Sequence, residues 1–155
     1  MLTLTIPKAI SINDEIIIEG FTPSTAKKFS VNFVIDDNNI PLHLRTEFGS
    51  SSNDDRIVLN HRMNGTWQKE FTDYVSWTRP TQKFHVSFLF GRESIIIYEN
   101  DSFLASFTHK LDISQTRSIQ IWDDVSSLDR LSFRYSSRTS RSAGGGECSA
   151  TEKKA

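Results

Sequence analysis

Apolar and polar residues alternate with a period of two along most of the chain. Side chains of an extended strand point to opposite faces in turn, so this spacing predicts strands buried on one side. Residues 2–6 alternate in this way, as do 29–35, where Phe29, Val31, Phe33 and Ile35 oppose Ser30 and Asn32. Residues 15–19 hold the run Ile16-Ile17-Ile18, ended by Gly20; its shortness and β-branching favour a strand over a buried helical turn. Further strands are expected over residues 84–90, 94–98, 102–107, 118–122 and 128–133, divided by Gly91, Glu99-Asn100-Asp101 and Asp123-Asp124. With the stretch described next, about eleven short strands and no helical period predict an all-β, two-sheet antiparallel sandwich. No internal repeat is present. Residues 1–135 therefore form one domain, and 136–155 read as a disordered tail, lacking aromatics and any aliphatic larger than alanine. The arginines of that region, Arg134, Arg138 and Arg141, lie among serines and leave open a phosphorylatable basic tether.

The most informative stretch runs from residue 40 to 72. In its first strand Leu42, Leu44 and Thr46 share one face, and His43, Arg45 and Glu47 the other. In its second, Ile57 and Leu59 oppose Val58 and Asn60. Asn64-Gly65 makes a tight turn, because both residues tolerate positive φ. Trp67 follows, then Glu70. The expected result is one solvent-facing surface carrying His43, Arg45, Glu47, Asn60 and Glu70, with Trp67 at its rim. Such a groove suits a sugar: hydroxyls meet the polar groups, and a patch of C–H meets the indole.

These residues resemble the galectins, β-galactoside-binding lectins with the signature His-x-Asn-Pro-Arg, Val-x-Asn and Trp-x-x-Glu-x-Arg on successive strands. Here the three parts read His43-Leu44-Arg45-Thr46-Glu47, Val58-Leu59-Asn60 and Trp67-Gln68-Lys69-Glu70-Phe71-Thr72. His43, Asn60, Trp67 and Glu70 match. Arg45 stands for Asn, Glu47 for Arg, and Thr72 for Arg. The resemblance spans residues 8–134. It implies a galectin-like jelly roll, metal-independent binding of β-galactoside glycans or glycoproteins, and no cofactor. It also implies synthesis in the cytosol and exit by a route that bypasses the secretory pathway. Whether the chain forms a homodimer stays open.

The substitutions pose an electrostatic problem. Glu47 near Glu70 sets like charges together, which costs energy unless a cation intervenes. Arg45 lies two residues along on the same face, and its fork can span two acceptors. We therefore expect Arg45 to bridge Glu47 and Glu70, preserving a polar groove with an altered hydrogen-bond map. Each residue also has a plainer reading: Trp67 as an edge aromatic, Asn60 as a hairpin cap, His43 as a cross-strand pair member, Glu70 as an arginine's anchor. A galectin-like domain that has lost its sugar and works through protein contacts is the alternative function.

Composition adds limits. Of the 155 residues, 37% are hydrophobic and 11% aromatic, which fits a globular core. The formal net charge of -1 gives no global attraction to nucleic acid or anionic membrane. No stretch approaches the roughly 20 apolar residues of a membrane helix. Cys148 is the single cysteine, which excludes an intramolecular disulfide. His43, His61, His85 and His109 show no metal-ligand spacing, and no nucleophile motif appears, so no enzyme is expected.

Overall fold

The computed structural model describes residues 1–136 and 151–154. Two antiparallel sheets stack face to face. The first contains β1 (Leu2–Thr5), β3 (Lys28–Val34), β4 (Ile40–Glu47), β5 (Arg56–Met63), β6 (Thr66–Trp67), β7 (Phe71–Tyr74) and β11 (Ser118–Asp123), in the order β1-β11-β3-β4-β5-β6 with β7 paired to β5. The second contains β2 (Glu15–Phe21), β8 (Lys83–Phe90), β9 (Ser94–Glu99), β10 (Ser102–Thr108), β12 (Ser127–Ser136) and β13 (Thr151–Lys154), in the order β10-β9-β8-β2-β12-β13. The alternating runs are all strands, because period-two patterning buries one face of each. Among the described residues no helix is long and apolar enough to cross a membrane.

Phenylalanines fill the space between the sheets. Phe29 stacks on Phe84 at 4.8 Å between ring centroids, and Phe33 meets Phe88 edge-on at 4.8 Å. Each pair joins β3 of one sheet to β8 of the other. Trp77 lies between strands, yet its side chain is buried against Phe29 at 5.7 Å. The loop carrying it is held by Arg79, whose Nη1 lies 2.5 Å from the Oδ1 of the fully buried Asp55. Both residues sit outside any alternating run, so periodicity gave no hint of this clamp.

One expectation needs correction. Gly20 does not end its strand: β2 continues to Phe21. A Cβ at Gly20 would stand 2.4 Å from the Ser127 carbonyl, so glycine is required by the close approach of β12. Of the segment 136–155, the described residues Ser136 and 151–154 are strand. Ser136 closes β12, its N–H donating to Asp14 Oδ1 at 2.9 Å, and Thr151–Lys154 pairs antiparallel with residues 133–136. An exposed strand edge accepts a partner strand through backbone bonds alone, without apolar side chains. Arg134 belongs to β12 and bonds Glu15 at 2.8 Å; Arg138, Arg141 and Cys148 lie outside the described residues.

Candidate functional site

The outer face of the first sheet carries the polar residues singled out in the sequence. In β4, Leu42, Leu44 and Thr46 are buried while His43, Arg45 and Glu47 are half-buried. Strand register sets out rows across this face. Trp122, Ser30, Arg45, Val58 and Thr72 form one row, through the pairings of β11, β3, β4, β5 and β7. Gln120, Asn32, His43 and Asn60 form the next. An open groove of about 400 Å³ lies over these rows, with Trp67 toward one end and Trp122 toward the other.

Arg45 stands between two carboxylates. Its Nε lies 2.8 Å from Glu47 Oε2, and its Nη2 lies 3.8 Å from Glu70 Oε2. Glu47 also accepts from Arg56 Nε at 2.5 Å. The row of charge is thus Arg56, Glu47, Arg45, Glu70, with alternating sign. Burial pushes the Glu47 carboxyl up, but hydrogen bonds from Arg56 and Arg45 outweigh it and hold the group below its ordinary value. Arg56 was missed in the sequence. Its signal was its place two residues before Val58, hence on the same face.

His43 is fixed from the neighbouring strand. Its Nδ1 lies 2.6 Å from Asn32 Oδ1. Asn32 Nδ2 in turn donates to Gln120 Oε1 at 3.5 Å, so Asn32 Oδ1 accepts and His43 Nδ1 carries the proton. The Nε2 lone pair is left for a donor in the groove. Burial, with the Arg45 charge beside it, pushes the His43 pKa down to about 4, so the ring is neutral at physiological pH.

Asn60 is 4% exposed and engaged with its own chain. Its Nδ2 donates to the Gln68 carbonyl at 2.9 Å, and its Oδ1 accepts the His61 N–H at 2.8 Å. The side chain therefore pins β5 to the residue that follows β6.

Trp67 is 44% exposed. Asn64 and Gly65 both have positive φ, as a tight hairpin demands. The turn docks on residues 36–39: Gly65 N–H donates to the Asn38 carbonyl at 2.9 Å, and Asn64 N–H to Asn39 Oδ1 at 3.0 Å. Arg62 donates to the Asp37 and Gly65 carbonyls, at 3.2 and 3.0 Å, and lies 5.8 Å from the Trp67 ring centre. The Trp67 and His43 rings meet at 5.1 Å, inclined by 61°. The two rings touch each other.

Glu70, expected on a continuous strand with Trp67, falls in the break between β6 and β7, with 52% of its side chain exposed. Among the described residues no group of three or more His, Cys, Asp or Glu could hold a metal ion.

Comparison with known proteins agrees with this architecture. A family model for galactoside-binding lectins matches residues 1–133. Human galectin-4 is 31% identical over 115 residues, covering 71% of this chain and 34% of that protein. The galactose-binding lectin l-1 of Anguilla japonica is 27% identical over 105 residues, 68% of this chain and 74% of the lectin. The chain thus spans about a third of the length of the human and bovine galectin-4 proteins it matches. The structure of sheep galectin-11 in complex with glycerol superposes with a TM-score of 0.74 at 18% identity, covering 84% of this chain and 94% of that one. The two-sheet sandwich and the match over residues 1–133 place this chain in the galactoside-binding lectin family, the galectins.

Proposed function

We propose that this domain binds β-galactoside glycans on the outer face of the first sheet, with a hydrogen-bond map rewired around Arg45. The observation that carries the reading is Arg45 lying between Glu47 and Glu70, in the groove that the half-exposed indole of Trp67 also lines. A guanidinium so held keeps donor hydrogens for sugar hydroxyls without paying the full cost of ordering a free arginine. His43 Nε2 accepts from a hydroxyl, and Trp67 packs on the apolar patch of the sugar. Asn60 acts mainly through the backbone it holds, and Glu47 and Glu70 orient Arg45. The protein is proposed to reside in the cytosol and to leave by a non-classical route.

Affinity is proposed to be weak. His43 meets the Trp67 indole edge-on and covers part of the ring, so less of the 44% exposed indole is left for a sugar. The same contact, together with the engaged Asn60 amide, favours a second reading in which this face meets a protein partner instead. Retention on immobilised lactose with elution by free lactose supports the lectin reading. Passage straight through the column by folded protein favours the second.

A further inference from the structure

The hairpin that carries Trp67 has little of its own to hold it. β6 is two residues long, lies at the edge of the first sheet, and pairs with β5 through Arg62↔Trp67 and Met63↔Thr66. So short an edge strand needs support from outside its ladder. The turn between β3 and β4 supplies it. Ile35 N–H donates to the Asn39 carbonyl at 2.9 Å, which closes that turn. Asp36 Oδ1 accepts from the Asn38 N–H at 2.8 Å and from Asn39 Nδ2 at 3.0 Å. The second bond sets the Asn39 amide. With its NH2 directed at Asp36, its Oδ1 faces the hairpin and accepts the Asn64 N–H at 3.0 Å. Beside it the Gly65 N–H reaches the Asn38 carbonyl at 2.9 Å, and a Cβ on Gly65 would stand 3.3 Å from Asn38 Oδ1. From the other side Arg62 Nη1 donates to the Asp37 carbonyl at 3.2 Å. Turn and hairpin are thus joined at Asn39, Asn38 and Asp37 in succession. Asn39 is half-buried and is not among the described residues that line the groove.

We propose that Asn39 is a positioning residue for sugar binding: oriented by Asp36, it ties the β5–β6 hairpin to the β3–β4 turn and so fixes the Trp67 indole in the groove. The inference rests on the lectin reading above. Asn39 acts through Trp67 and touches no sugar. Trp67 follows the bonded Asn64 by three residues, so freedom gained at Asn64 is passed to the indole. A hairpin released from the turn keeps the indole in place for a smaller fraction of the time, and apparent affinity falls by that fraction. The Asn39–Asn64 bond is exposed and lies at the end of the sheet, away from the phenylalanine core, so its loss is a local event.

Calorimetric titration with lactose of the parent, Asn39→Ala and Asp112→Ala tests this, together with NMR spectra of the indole N–H groups. Asp112→Ala is the control: it removes a bond of the same kind, 3.0 Å to the Ser114 N–H, outside the groove. Loss of one hydrogen bond is expected to weaken lactose binding by Asn39→Ala about three- to tenfold. Asp112→Ala should bind within about twofold of the parent, as a distant and independent site. In Asn39→Ala the Trp67 indole resonance should shift or broaden while those of Trp77 and Trp122 stay in place, with the Tm within a few degrees of the parent. A purely structural role would instead lower the Tm and move every indole, and that result overturns the proposal. In the parent, the Asn64 and Gly65 amides should exchange with solvent more slowly than those of an open turn, which checks the contact without any variant. Unprotected amides at both positions, an unmoved Trp67 resonance, or equal lactose binding by Asn39→Ala and parent overturns the role of Asn39 and leaves the lectin reading in place. An equal loss in Asp112→Ala also overturns it. A folded parent that binds no lactose overturns both.

Discussion

The substitutions of the family signature are solved residue by residue. Arg45 and Glu47 look in sequence like an exchange of roles between two neighbours. The structure adds Arg56, which shares Glu47 with Arg45. Arg45→Ala therefore leaves Glu47 with a guanidinium, and only the half-exposed Glu70 loses a partner. The expected stability loss is about 1 kcal/mol or less by denaturant unfolding. Lactose affinity should fall by about tenfold or more, because a charge-assisted donor is lost. Restoring the family pattern with Arg45→Asn and Glu47→Arg sets a second cation against Arg56. That double variant should melt below the parent, and adding Arg56→Ser should recover the difference. Acid sensitivity is also set here. The folded pKa of His43, about 4, lies below its ordinary 6.5, so between those values the unfolded chain binds more protons. Stability from this group is complete above pH 6.5 and is lost as pH falls toward 4. Glu47 acts in the same direction: its contribution is present above the ordinary 4.5 and is lost as pH falls through its lowered folded value. A His43→Asn variant should show a shallower fall in Tm between pH 6.5 and 4, with His43 ring resonances in the parent titrating near 4.

Elements were legible where a single rule governs them. Alternation located β3, β4 and β8, because burial of one face is a local, periodic demand. Asn64-Gly65 located the hairpin, because positive φ is a local demand too. The β5–β6 turn should be sensitive to this: Gly65→Ala, at φ 82, is expected to cost about 1 kcal/mol and to weaken lactose binding by loosening Trp67. Gly20 was misread because its reason lies across the sheet in β12. The Thr151–Lys154 strand was missed because a backbone edge recruits it, and its side chains carry no pattern. Within the site, polar alternation identified His43, Arg45 and Glu47. It gave no warning that Asn60 turns to its own backbone, nor that Trp67 leans on His43, since both depend on side-chain rotamers. Ser30 and Asn32 were correctly placed on a polar face, yet their link to Gln120 and Trp122 needs the β3–β11 pairing, which sequence order does not reveal.

At the scale of the molecule, two layers divide the work. The phenylalanine core fixes the sheets, and the outer face of one sheet is free to vary. The loop between β7 and β8 ties the layers together through Trp77 and the Arg79–Asp55 pair. Asp55 is fully buried, so Arg79→Ala strands a carboxylate. About 3 kcal/mol of stability should be lost, read as a lower midpoint in urea, with the binding residues untouched. The freedom of the outer face explains how a galectin sandwich tolerates Arg45, Glu47 and Thr72 in place of the family residues. Galactoside binding on that face is the central claim. Calorimetric titration of the parent and of Trp67→Ala with lactose decides that most directly. The account predicts measurable, weak and saturable binding by the parent, and none by a Trp67→Ala variant that keeps the parent's Tm within a few degrees. No binding by a folded parent, or equal binding by both proteins, would contradict it.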